Sequence, residues 1–575
     1  MLGTSTPEYI FIRVCIFLVQ YTTPVCLALL ALLAALRNRS AATPPSLLLS
    51  PSNPLDAALV AYVIADLLYA AFVFAPRARR LGDSAAAAAA ANLSPRQREE
   101  RRALFHRCLA HVPDIRRYMQ MWFLGADEAE IRRDNVRDFL LWAFFDRAPS
   151  GRAGGGGREE DEDEDELGEY IAALEQRLGR KFGPGRGQAE GLRLTLDKVE
   201  TRYRSVGWYL VVGLVDLVTH CRLAWSGFHY YAQPGSRVLS VVPPRLQDVC
   251  ARRRSVAAGL TYWYRPHTAT DKLPVVFLHG IGIGLYTYVP FLSRLNSSGA
   301  AGEAAVEGGE GTEGQIGIIA IEMLPISFRL TDVPLAKPEF LRQVATILEA
   351  HGWDRFVLVS HSYGTVLATH MLRAEGLAGR IASVVLIDPV TILLHLPDVA
   401  YNFTRRKPKR ANEWQLWYFA SMDPGVARCL GRHFLWKDNI VWKEELVGSA
   451  RGLQSVDDAG GGVGVDDRGT RATGQRPRKV AVCLAERDLI VDTLTVVQYL
   501  AANDDGWLTP GPADEEGSTG SVGRPEERDG WASGNHLTCE GIELLWFWGL
   551  DHAQVFDSKQ NRDRLCRVVR RYCTK

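Results

Sequence analysis

A serine, an acid and a histidine occur in this chain in an order and setting that suit acyl transfer. Ser362 lies in Ser360-His361-Ser362-Tyr363-Gly364, directly after the β-forming run Phe356–Val359 and before a helix-forming segment. A strand, a sharp turn and a helix would lift the hydroxyl out of a sheet, and the helix N-terminus behind it offers N–H donors to a developing oxyanion. Small residues belong on both sides of such a serine, because the chain doubles back there. Gly364 supplies one, and Ser360 stands where glycine is more usual. Upstream, Pro274–Leu278 runs into the Gly-rich turn His279-Gly280-Ile281-Gly282, whose backbone can approach a ligand closely. The N–H groups of Ile281 and Tyr363 are therefore expected to face the same oxyanion. Further on, the apolar run Lys479–Ala485 is followed by Asp488, and Leu544–Gly549 leads to Asp551 and His552. A serine hydroxyl becomes a good nucleophile when an imidazole takes its proton, and the imidazole needs a carboxylate to fix its tautomer. Such a set would form an acyl-enzyme that water or another alcohol resolves.

From about residue 256 to the C-terminus, this succession of motifs resembles the α/β-hydrolase superfamily. The stretches Asn402–Thr404 and Asn412–Tyr418 also resemble predicted membrane-anchored serine hydrolases of fungi. The resemblance implies a mostly parallel central sheet flanked by helices, with Ser362 as nucleophile, His552 as general base and Asp488 as orienting acid. Asp388, which ends the run Ser383–Ile387, is an alternative acid, since some relatives carry it there; Asp492 is a lesser one. Asp551 reads as a loop cap, and His536, in a polar loop, is the rival to His552. His361 reads as packing beside the elbow and His279 as a turn-stabilising hydrogen-bonder. A serine nucleophile argues against epoxide and halide hydrolysis, for which relatives use Asp.

The elements that must carry these residues are easily built from 575 residues, which leave room for more than one domain. A net charge of +1 gives no reason to expect nucleic acid as a partner. Ten scattered cysteines lack the spacing of a zinc or redox site and read as reduced intracellular thiols; no metal and no cofactor is implied. The N-terminus carries the second clear message. Val14–Leu36 is an apolar run of 23 residues, enough to cross a bilayer core, and the first eight residues lack the basic start of a cleaved signal. Leu55–Ala75 is long enough for a second span, although a central Asp66 costs about 2.5–3.5 kcal/mol on insertion scales. Gly207–Val218 is short for a span and suits a core or interface-lying helix.

The expected organisation is a membrane anchor over residues 1–80, of one or two transmembrane helices, then a helical region over 81–250 with a disordered acidic insert near 149–168. The hydrolase core follows in two parts, 251–390 and 479–575, separated by a helical lid at 391–447 and a flexible linker at 448–478. Stretches 298–314, 459–478 and 504–534 are Gly-rich and charged and read as disordered. The lid is dense in aromatics, among them Trp414, Trp417, Tyr418 and Phe434, and carries the basic run Arg405–Arg410. Its aromatics suit either a small core of its own or an apolar acyl pocket resting on lipid. These features favour an esterase or lipase of an intracellular membrane, acting on an apolar acyl ester or lipid and in contact with membrane lipid. An acyltransferase using the same three residues, or a silent membrane scaffold, is the alternative. The sequence names no protein partner.

Overall fold

A computed structural model of the chain describes residues 2–39, 53–83, 97–147, 158–296, 314–448, 478–502, 536–539 and 541–575. Short apolar runs become the strands β1 (His229–Tyr231), β2 (Thr261–Arg265), β3 (Val275–Leu278), β4 (Ile318–Glu322), β5 (Phe356–His361), β6 (Ile381–Ile387), β7 (Lys479–Ala485), β8 (His536–Cys539) and β9 (Ile542–Phe547). They form one sheet in the order β1-β2-β4-β3-β5-β6-β7-β9-β8. The pairs β1·β2, β2·β4 and β8·β9 are antiparallel and the others parallel. Parallel strands covered on both faces read as unbroken apolar runs, as β3 and β5 do. Pleating still sorts their side chains. Val276, Leu278, Leu358, Val384 and Leu386 enter one core, whereas Val275, Phe277, Val357, Val359 and Ile387 enter the other. Helices Lys337–Ala350 and Gly364–Arg373 cover the first face, and the C-terminal helix Lys559–Cys573 covers the second.

Strand order reverses between β3 and β5, and the crevice at such a switch lies beyond the carboxyl ends of the strands. The turn and relay candidates follow those ends: Gly280 after β3, Ser362 after β5, Asp388 after β6, Asp488 after β7 and His552 after β9. The register brings Ile387 of β6 beside Cys483 of β7, so the two acids leave adjacent strands.

Residues 391–447 are inserted between β6 and β7 as short helices, as expected of a lid. Their aromatics do not make a core of their own, however. Trp436 packs edge-on to Phe144, and Trp442 meets His111 and Tyr499. Tyr418 joins Ile12 and Ile16 of the N-terminal helix Thr6–Arg39 in a small separate cluster, with Trp414 and Trp417 against it. The basic run is partly engaged within the protein, since Arg405 pairs with Asp197 and Arg406 with Glu413.

Among the described residues, three helices are long and apolar enough to cross a membrane: Thr6–Leu36, Pro54–Arg79 and Val206–Trp225. The third extends well beyond the Gly207–Val218 run and reaches 20 residues. Its two faces differ. Trp208, Val212, Asp216, Thr219 and Leu223 are buried at helical spacing, whereas Leu210, Leu214 and Trp225 are exposed. Asp216 accepts from Arg245, Gln247 and Arg329, which ties this helix to the sheet end at Glu322, itself held by Arg245.

Asp66, the costly acid of the second apolar run, is buried and fully used. Its Oδ1 accepts from the Tyr203 hydroxyl (2.9 Å) and the Val206 amide (2.7 Å), and its Oδ2 accepts from Thr23. One carboxylate therefore joins all three apolar helices, at the start of the third. Asp66→Ala leaves the buried Thr23 hydroxyl without its acceptor, a loss typically worth about 1–3 kcal/mol, and also strips the half-buried Tyr203 hydroxyl and Val206 amide of theirs. The variant is expected to unfold at clearly lower temperature in detergent than the wild type, as a thermal melt would show.

The acidic insert requires a correction. Residues 158–168 belong to a helix, Arg158–Leu178, and only 149–157 of that stretch lie outside the described residues. Leu167, Tyr170, Ile171, Leu174 and Leu178 bury one helical face, and the buried Glu166 pairs with Arg101 at 2.6 Å. Charge neutralisation by arginines of neighbouring helices, Arg101, Arg102 and Arg137 among them, lets the acidic run stay helical. The other stretches expected to be disordered lie outside the described residues, apart from Gly314 and Arg478 at their edges.

Candidate active site

Ser362 sits at φ 51°, in the left-handed region, between β5 and the helix Gly364–Arg373. Close packing demands the small residues around it. A Cβ on Gly364 would lie 2.3 Å from the Leu278 carbonyl oxygen, and one on Gly280 would lie 2.8 Å from the Ser362 Cβ. Ser360, the unusual residue of the turn, is completely buried, and its hydroxyl has no hydrogen-bond partner among the described residues.

His552 reaches the serine from the loop after β9. Its Nε2 lies 2.8 Å from Ser362 Oγ, and its Nδ1 lies 2.7 Å from Asp488 Oδ2. The other Asp488 oxygen accepts the amides of Ile490 (2.8 Å) and Val491 (2.9 Å), which fixes the carboxylate in the turn after β7. Burial opposes charge on His552, but the Asp488 carboxylate outweighs it, with Asp388 and Asp551 adding, and pushes the imidazole up to about 9. The relay thus runs from an alcohol through an imidazole to a carboxylate, and Asp488 stabilises the charge the ring would gain on taking the serine proton.

Asp388 lies next to this relay but faces elsewhere. Its Oδ1 accepts from the Ala485 amide (3.2 Å) and its Oδ2 from the Ala553 amide (2.8 Å), so it braces the loop that carries His552. Asp388, Asp488 and His552 form a grouping whose donor atoms lie close enough to hold an ion, within 4.8 Å of one another. Within it, Asp488 and His552 already satisfy each other. Asp492 caps the helix Thr493–Ala501 through the Thr495 amide. His536 opens the edge strand β8, where it pairs with Leu545 near the carboxyl end of β9, and it takes no part in the relay of Ser362, His552 and Asp488.

Both expected oxyanion donors border the serine. The amides of Ile281 and Tyr363 make no hydrogen bond among those of the described residues, and both residues line, with Ser362, a cavity of about 30 Å³. The turn that carries Ile281 is braced on each side. Gly280 N–H donates to the Tyr288 hydroxyl (3.1 Å), which also contacts His361 Nδ1 (2.8 Å). His279 accepts the Met323 amide at Nε2 (2.9 Å), so its Nδ1–H donates to the Gly280 carbonyl (2.7 Å). Burial holds His279 down to about 4, which keeps it neutral in that role. Tyr363, whose ring centroid is 6.2 Å from that of Phe434, separates the small cavity from a larger one of about 460 Å³. Met323, Ile326, Val366, His370, Cys429 and Asn439 are among the residues of the larger one.

Residues not foreseen from the sequence are Tyr288, which braces the oxyanion turn, and Asn412, which donates to Asp551 at 2.6 Å. Asp551 is more than a loop cap, because it accepts the amides of both Leu489 (2.9 Å) and His552 (2.7 Å). No local pattern signals these contacts, since Asn412 and Asp551 lie 139 residues apart.

A family profile described as "alpha/beta hydrolase fold" matches residues 327–423, which include β5, the Ser362 turn, β6 and the start of the lid. No curated protein matches the sequence. Among solved structures, the chain is similar to a bacterial membrane phospholipase A at 12% identity and a TM-score of 0.32, covering 64% of this chain and 94% of that one. It is similar to a carboxylesterase from the ammonia-oxidizing thaumarchaeon Nitrososphaera gargenis at 12% identity and a TM-score of 0.29, covering 55% and 97%. A carboxylesterase of Bacillus subtilis is similar at 11% identity and a TM-score of 0.28, covering 62% and 97%.

Proposed function

We propose that this chain, whose fold is that of the α/β-hydrolases, is a membrane-anchored serine hydrolase that cleaves an apolar acyl ester. The observation that carries the reading is the continuous relay from Ser362 Oγ through His552 to Asp488, at 2.8 and 2.7 Å, with the serine on a left-handed turn at a helix N-terminus. In this mechanism His552 Nε2 takes the Ser362 proton as Oγ attacks the ester carbonyl. Asp488 holds Nδ1–H and stabilises the imidazolium. The Ile281 and Tyr363 amides receive the oxyanion. Collapse of the tetrahedral intermediate breaks the ester bond, and His552 returns the proton to the departing alcohol. Water, deprotonated by the same imidazole, then attacks the acyl-enzyme and releases the acid.

Helices Thr6–Leu36 and Pro54–Arg79 are assigned to an intracellular membrane as the anchor, with the lid resting on the first of them. The anchor and the apolar lining of the small cavity, with Val390, Phe403 and Phe434, favour a lipid or other apolar ester over a charged one. Residues 251–390 and 479–575 serve as the two parts of the hydrolase core, and 391–447 as its lid. The test is activity-based labelling of detergent-solubilised protein with a fluorophosphonate, followed by turnover of esters of increasing acyl length. The expected result is covalent labelling and release of free acid. A folded protein that neither labels nor releases acid would overturn the proposal, and acyl transfer to an added alcohol without free acid would identify a transferase.

A further inference from the structure

The short lid helix Ala411–Gln415 is held from two sides. On one side stands the N-terminal helix. Arg13 lies over the Trp414 ring, 3.9 Å from its centroid, and Ile12 and Ile16 pack with Ala411 and Tyr418. The residues before that helix also bind the lid: Leu2 N–H donates to Gln415 Oε1 (2.8 Å), and the Gly3 carbonyl accepts the Asn412 amide (3.2 Å). On the other side the Asn412 side chain, only 6% exposed, donates to Asp551 Oδ2 at 2.6 Å. Asp551 Oδ1 accepts the amides of Leu489 and His552. One carboxylate thus clamps the loop of His552 to the turn that carries Asp488, and Asn412 holds the free side of that carboxylate.

We propose that Asn412 is a positioning residue through which the N-terminal helix keeps His552 in register with Ser362, so that the anchor is part of the active site as well as its tether. The inference rests on the serine-hydrolase reading. Its physical basis is that a buried carboxylate oxygen deprived of its donor rearranges toward water or a proton. The two amides that Asp551 holds then lose their fixed acceptor. A displacement of His552 by a fraction of an ångström is enough to disturb a proton transfer that needs hydrogen-bond geometry.

The test uses the full-length protein in detergent micelles, with kcat and KM measured on one ester and thermal melts recorded in parallel. Asn412→Ala is expected to lower kcat roughly 10- to 100-fold with KM little changed. Asn412→Leu has nearly the same size but no donor, and is expected to lose at least as much; if it matched the wild type, the residue would act by packing and the inference would fall. Arg13→Ala, which loosens the lid from the anchor, is expected to lower kcat by less. Combined with Asn412→Ala, its effect is expected to be smaller than the product of the two, as for residues on one path. Multiplicative effects, or an Arg13→Ala kcat equal to the wild type, would overturn the role of the anchor. A wild type that labels and turns over while folded Asn412 variants match it would defeat this inference alone. A wild type that does neither would defeat the hydrolase reading and this inference with it.

Discussion

Ser362→Ala is expected to reduce ester turnover by about 10⁴-fold or more and to abolish fluorophosphonate labelling. Without Oγ there is no acyl-enzyme, and the residual rate rests on the oxyanion donors and substrate binding alone. The substitution removes one oxygen from a side chain that is 6% exposed, so the fold should persist and the melt should change little. Retained turnover in a protein of unchanged melting temperature would show that another nucleophile acts. The imidazole geometry makes this the largest effect expected, because His552 Nε2 has the Ser362 hydroxyl as its partner.

The second large effect separates the two neighbouring acids. Asp488→Asn is expected to lower kcat by roughly 10⁴-fold near pH 7, because an amide presents the wrong group to His552 Nδ1 and no longer stabilises its charge. Asp388→Asn is expected to cost far less in kcat and more in stability, since Asp388 accepts backbone amides of Ala485 and Ala553 and does not meet Nδ1. The reverse order of kcat losses would assign the acid to Asp388. A pH profile supplies an independent check. The base works only as neutral imidazole, and in the wild type Asp488 is the main group pushing His552 up to about 9. Activity should therefore rise with pH across the neutral to alkaline range. In Asp488→Asn the remaining activity should reach its plateau at lower pH, because the group that favours the charged ring is gone.

The strands were legible because each is a local run of β-forming residues, and the Ser362 turn was legible because strand, apex and helix occupy adjacent residues. The choice of acid was less so. Asp388 and Asp488 each follow an apolar strand, and only the sheet reveals that β6 and β7 are neighbours and that the loop after β7 bends to His552. Asp66 read as a penalty in an apolar helix, because its partners Thr23, Tyr203 and Val206 lie up to 140 residues away. The acidic helix was missed for a similar reason. Its charges suggested a solvated coil, whereas the arginines that neutralise them belong to other helices. The lid aromatics pointed toward a pocket or a private core; Phe434 does line the cavity beside Ser362, whereas Tyr418 meets the N-terminal helix and Trp436 and Trp442 meet the helical region before the sheet.

The left-handed Ser362 has a meaning for engineering. A residue with a Cβ at φ 51° occupies a backbone region that costs of order 1–3 kcal/mol, and the sealed hydroxyl of Ser360 beside it gains no partner in return. The reactive arrangement is therefore not the most stable one this backbone could adopt. A selection for heat resistance alone would favour glycine at the apex and a smaller residue at 360, and so would discard the nucleophile as it improved the protein. Robust variants of this chain must be sought by screening turnover together with melting, with the turn itself kept fixed.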